Sequence, residues 1–96
     1  MSLMVTKIKE YTVLLSKLAV KDRIKLENAK LGPSAEKILN LIKKDPFCYP
    51  PPYEKLIGDL KNYYSRRINR QHRLLYRVDE KTKTVYVLRM WTHYEK

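Results

Sequence analysis

An α+β fold is what this sequence predicts: an N-terminal strand, a helical hairpin, then an antiparallel β meander packed on the helices. Three observations predict it. Apolar residues alternate with a period of two around Tyr11, recur at helical spacing from Ser16 to Asp45, and alternate again beyond residue 59. The segment PFCYPPP (Pro46–Pro52) carries four of the chain's five prolines and divides the helical part from the later strands as a stiff, extended piece. The connections between the last three strands are short, so those strands must run antiparallel.

Each element follows from local chemistry. In residues 10–16, Tyr11, Val13 and Leu15 share one side of a strand. Ser16 is an N-cap for a helix running to about Leu31, with Gly32 as its stop and Asp22 and Glu27 expected in solvent. Leu18, Ala19, Val20, Ile24, Leu26 and Leu31 would form a broad apolar face on it. Pro33 and Ser34 open a second helix, in which Ala35, Ile38, Leu39 and Ile42 keep one face until Asp45-Pro46 ends it. Three strands are then expected over about 59–69, 72–79 and 84–94, with turns at Asn69–Gln71 and Asp79–Lys83.

Composition narrows the class. Ninety-six residues suit one domain, 1–96, and a hydrophobic content of 44% argues against intrinsic disorder. The 21 Lys+Arg against 10 Asp+Glu leave +11, which calls for a polyanionic partner. One cysteine, Cys48, excludes a disulfide framework, and with only His72 and His93 beside it no metal ligand set is expected. No apolar run reaches the ~18 residues of a membrane span and no signal-peptide pattern opens the chain, so a cytoplasmic location without membrane association is expected.

The chemistry concentrates in the last third. Six of the seven arginines (Arg66, Arg67, Arg70, Arg73, Arg77 and Arg89) lie there, and seven of the eight tyrosines lie beyond residue 48. Arginine interleaved with tyrosine suits RNA, whose phosphates take the guanidinium fork and whose bases stack on rings. The same composition also serves an ordinary solvated sheet. If the strands alternate regularly, Arg67, Arg73, Arg89 and His93 converge on one surface, where like charges are unfavourable without an anion among them. Glu54, carried by the proline-stiffened loop, is the nearest acid. A carboxylate, a histidine and arginines are the equipment for cleaving RNA without a metal: a base for the 2′-hydroxyl, an acid for the leaving 5′-oxygen, and cations for the charge growing on phosphate. Taken singly, Glu54 reads as a solvated loop carboxylate and His93 as a half-buried strand histidine.

The stretches SRRINRQHRLLYRV (Ser65–Val78), PPYEKLIGDL (Pro51–Leu60) and RMWTHY (Arg89–Tyr94) resemble the Txe/YoeB family of toxins. These are ribosome-dependent mRNA interferases of bacterial type II toxin–antitoxin modules with a RelE-like fold. The resemblance runs from about Tyr11 to Tyr94 and implies catalytic roles for Glu54 (general base), Arg73 (transition-state charge), His93 (general acid) and Tyr94 (orientation of the scissile phosphate or a base). It implies support from Arg67; Lys55, Arg66, Arg77 and Arg89 complete the cations expected to bind RNA. It further implies no cofactor and a cognate acidic antitoxin of the YefM/Axe kind. The other partners it implies are the ribosome with mRNA in its A site, and operator DNA only through the antitoxin; a homodimer is left open. Two positions depart from the family pattern: Glu95 and Lys96 follow the terminal tyrosine, and Ile57 stands where some members carry a lysine. Two other readings compete, a non-catalytic basic module that binds ribosome or nucleic acid, and a toxin of the same fold with another target such as a topoisomerase.

Overall fold

A computed structural model describes residues 10–92. In chain order it contains β1 (Thr12–Leu15), α1 (Lys17–Asn28), α2 (Gly32–Lys44), β2 (Tyr53–Lys55), a single 3₁₀ turn (Gly58–Leu60), β3 (Tyr64–Arg67), β4 (Arg73–Asp79) and β5 (Thr84–Thr92). The five strands form one sheet in the order β1-β5-β4-β3-β2. The meander β2–β5 is antiparallel throughout, which bears out the pairing expected of the last three strands, and β1 adds to its far edge parallel to β5. The helices cover one face of the sheet. Ala19, Leu26, Ala35, Ile38, Leu39 and Ile42 from the helices meet Leu74, Tyr76, Val85, Val87 and Met90 from the sheet in one core. Tyr11, Val13 and Leu15 pack against its margin, which bears out the alternation read at the N-terminal strand.

Ser16 caps α1 as the sequence indicates, its Oγ accepting the Ala19 N–H at 3.0 Å. The helix ends earlier than expected. Lys30 takes a left-handed φ of 65°, and the Leu31 N–H donates back to the Leu26 carbonyl at 2.7 Å, a closure that normally uses glycine at the left-handed position. Gly32 is therefore the first residue of α2 and not the stop of α1.

The inward stripe of α1 is also narrower than the apolar pattern suggested. Ala19, Asp22 and Leu26 are buried, while Leu18, Val20 and Ile24 are about half exposed. An aspartate holds the central position of that stripe, so Asp22 does not face solvent.

Two further expectations change. β2 is a strand in its own right, paired to β3 through Tyr53↔Arg66, Glu54↔Ser65 and Lys55↔Tyr64. The strand expected over 59–69 shrinks to Tyr64–Arg67, because Gly58 (φ 74°) and Asn62 (φ 79°) turn the chain before it.

Candidate active site

The β2–β3–β4 register assembles the site. Glu54 lies opposite Ser65, and Arg67 lies opposite Arg73. Residues paired across strands point to the same side of a sheet, and Leu74 and Tyr76 of β4 point into the helical core. Glu54, Ser65, Arg67 and Arg73 therefore open onto the face that the helices leave free. There they line a cleft of about 600 Å³, walled by Pro51, Pro52 and Tyr53 on one side and by Ile68, Asn69 and Arg70 on the other. Arg73 is its centre. One guanidinium nitrogen, Nη1, donates to Ser65 Oγ at 2.9 Å and lies 3.8 Å from Glu54 Oε1. The Arg73 side chain is only 20% exposed, whereas Glu54 is 64% exposed and reaches out from the rim. A restrained cation beside an exposed carboxylate suits a phosphate that must be gripped while a proton is removed next to it. Ser65 was not among the residues singled out for the site. Its signal was its place two residues before Arg67 on the same side of the strand.

The sequence-derived arginines divide. Arg67 and Arg73 share the cleft, and Arg70 joins them at its wall. Arg66, expected to hold RNA, is instead fully buried at 0% exposure. It donates to the carbonyls of Pro46 (3.0 Å), Cys48 (2.7 Å) and Pro51 (2.7 Å) and to Tyr76 Oη (3.0 Å), and its guanidinium stacks 4.7 Å from the Tyr53 ring centroid. The cause is strand parity: Arg66 alternates with Ser65 and Arg67, so its side chain enters the space under the proline segment. Tyr76 donates in turn to the Pro46 carbonyl at 2.7 Å; burial pushes its phenol up to about 12, against the opposing influence of Arg66.

Arg89 also leaves the expected cluster. Its Nε and Nη2 donate to the two carboxylate oxygens of Asp22 at 2.8 and 3.2 Å, and the Met90 N–H donates to the same carboxylate at 3.0 Å. The physical reason is parity: Arg89 alternates with the core residues Val85 and Val87, so it turns to the helical side, and the pairing of β5 is irregular as well. Leu75–Tyr76 faces Arg89–Val87, and Arg73–Leu75 faces Thr92–Arg89, so β5 carries an extra residue in each interval. Regular alternation therefore fails beyond Arg89, and Met90 also turns into the core, with Trp91 packed against it. Burial would raise the Asp22 pKa, but hydrogen bonds from Arg89 and from the Met90 and Trp91 backbone outweigh it and hold the carboxyl below the usual range.

Lys55 and Arg77 lie outside the cleft, around a separate concavity at the far end of the strands. His72, read as a turn residue, stacks on Trp91 with centroids 4.0 Å apart. His93 and Tyr94 lie outside the described residues. Among the described residues no group of three or more His, Cys, Asp and Glu side chains is placed to hold a metal ion, and no helix is long and apolar enough to cross a membrane.

The fold and the arginine-centred cleft define a small basic α+β protein of the RelE/YoeB kind. Residues 21–94 match the family model described as YoeB-like toxin of bacterial type II toxin-antitoxin system. The chain belongs to that family. It is 39% identical over 49 residues to Toxin YoeB of Mycobacterium bovis, a match that spans 51% of this chain and 58% of that relative. Among solved structures, the YoeB/ParE toxin from Agrobacterium tumefaciens aligns with a TM-score of 0.78 at 26% identity, covering 86% of this chain and 99% of that one. The YoeB-YefM complex from Staphylococcus aureus aligns at 0.73 and 30% identity, covering 88% and 98%.

Proposed function

We propose that this chain is a toxin, an mRNA endoribonuclease that acts on the ribosome and is held inactive by an acidic antitoxin. The observation that carries the reading is Arg73, steadied by Ser65 Oγ and set 3.8 Å from the Glu54 carboxylate inside an open cleft that Arg67 also lines. A module that only bound RNA would need the arginines but not a carboxylate beside them. In the proposed reaction Glu54 takes the proton from the ribose 2′-hydroxyl, whose oxygen attacks the adjacent phosphorus. The bond to the 5′-oxygen breaks, and that oxygen leaves with a proton supplied by His93. Arg73, with Arg67, stabilises the charge that builds on the phosphoryl oxygens. Tyr94 orients the scissile phosphate or a base; its role and that of His93 rest on family resemblance. The antitoxin follows from the +11 charge and from kinship with a toxin solved in complex with YefM.

The test is primer extension on mRNA in a purified translation system, with and without ribosomes, followed by analysis of the fragment ends. Cleavage that needs ribosomes and leaves a 2′,3′-cyclic phosphate or 3′-phosphate with a 5′-hydroxyl is expected. RNA carrying a 2′-O-methyl group at the cut position should resist, as should DNA. Fragments with 5′-phosphate and 3′-hydroxyl ends would rule out 2′-hydroxyl attack.

A further inference from the structure

Arg77 divides two adjoining concavities of different chemistry. One, of about 500 Å³, is lined by three cations: Lys55 at the end of β2, Lys61 after the 3₁₀ turn, and Arg77 on β4. None of the three makes an ion pair with a carboxylate among the described residues. The other, of about 390 Å³, is apolar and aromatic, with Tyr63, Tyr86 and Leu14 on its walls. Arg77 and Tyr63 belong to both, and the Arg77 guanidinium lies over the Tyr86 ring, 4.2 Å from its centroid. A cationic hollow beside an aromatic slot has the two-part chemistry of a nucleotide, whose phosphate is charged and whose base is a flat ring.

The position of this pair of hollows matters as much as their chemistry. Arg77 is four residues beyond Arg73 on the same strand, so both point to the face that the helices leave free, roughly 13 Å apart at about 3.3 Å per residue. Tyr63 immediately precedes β3, two residues before Ser65, and lines both hollows. An RNA strand leaving the Arg73 cleft along β4 would thus meet the second site without crossing an edge of the sheet. Three uncompensated cations around one hollow repel one another, and a bound anion removes that penalty.

We infer that Lys55, Lys61 and Arg77 form a second phosphate subsite for RNA, with Tyr63 and Tyr86 stacking the attached base, separate from the catalytic cleft. The inference rests on the endoribonuclease reading only for the direction in which the strand runs. The subsite extends the hold on substrate to nucleotides flanking the cut, and it supplies affinity where the exposed Glu54 supplies none.

The test measures binding of the full chain to a fluorescein-labelled 2′-O-methyl RNA hexamer, which cannot be cut, by anisotropy over a range of salt. Lys61→Gln and Arg77→Gln should each weaken binding several-fold and flatten the slope of log K against log salt by about 0.7. Tyr86→Ala should weaken it roughly tenfold, and Tyr86→Phe should bind like the parent because the ring is kept. Lys61 is exposed, so its variant folds whatever happens to the others, and circular dichroism on each variant identifies any that do not. Unchanged affinity and slope for folded Lys61→Gln and Arg77→Gln would overturn the subsite. So would losses confined to a polyglutamate probe, since the hollow would then receive an acidic protein segment. Because the probe cannot be cleaved, a failure to detect nuclease activity would count against the catalytic reading alone.

Discussion

Two neighbouring arginine positions on β3 and one on β4 have different tasks because strand parity separates them. Arg73 meets the cleft with one nitrogen held by Ser65 and the rest of its fork available to an anion. Arg66 meets only neutral acceptors and holds the proline segment against β3. The two should fail differently. Arg73→Ala should lower turnover by on the order of 10² or more with the melting temperature nearly unchanged, because the lost interaction is strongest in the transition state. Single-turnover cleavage alongside thermal unfolding reads both quantities. Arg66→Met should instead cost stability, about 2 kcal/mol or more, because the Cys48 and Pro51 carbonyls and the Tyr76 phenol oxygen lose their donor, and the Pro46 carbonyl keeps only the Tyr76 hydroxyl. A urea midpoint for Arg66→Met equal to that of the parent would mean that the proline segment is held by something else.

At the level of elements, the contact between α1 and the end of β5 sets the course of the last strand. The irregular pairing around Leu88 and Arg89 frees backbone groups that a regular ladder would have used. Ser16 takes part of that load: beyond the regular β1–β5 ladder bond of its N–H to the Val87 carbonyl (3.0 Å), its hydroxyl donates to the Leu88 carbonyl at 2.7 Å. Asp22 takes the Met90 N–H and the Arg89 guanidinium. The Asp22 carboxyl is held below its ordinary value of 3.8, so the stability it contributes is present above that pH and is lost as the pH falls through the lower folded-state value. Asp22→Asn should therefore be less stable than the parent near neutrality, and the gap should close as the solution is acidified below about pH 4. Urea unfolding of both proteins at several pH values checks this. A gap that stays constant would remove the charge on Asp22 as its cause.

For the whole molecule, the excess of cations governs encounter. A net charge of +11 on 96 residues draws polyanions from a distance, and salt screens that pull beyond about 10 Å at 0.1 M. Association with ribosomes or with an acidic partner should slow steeply as salt rises, while dissociation, governed by close contacts, changes much less. Stopped-flow or surface-based kinetics at several salt concentrations separate the two rates. Equal sensitivity of both rates would mean that charge pairs in the bound interface, and not steering, dominate.

What the sequence by itself determined is the order of strand, hairpin and meander, the division at Pro46–Pro52, and the nomination of Glu54, Arg67 and Arg73. Each of these depends on signals that are local in the chain: period, turn chemistry, proline, and residue type at alternate positions. The tertiary structure alone decided the rest. The parallel attachment of β1 to β5 joins residues some seventy positions apart, and no local pattern encodes it. Arg66 and Arg67 are identical in type, and only the register of β3 against β2 and β4 sends one under the proline segment and the other into the cleft. Asp22 read as a solvent residue because a polar side chain on a helix usually is one. Its burial has meaning only beside the irregular backbone of β5, and that backbone is irregular because its pairing with β4, a relation between two segments, takes in extra residues.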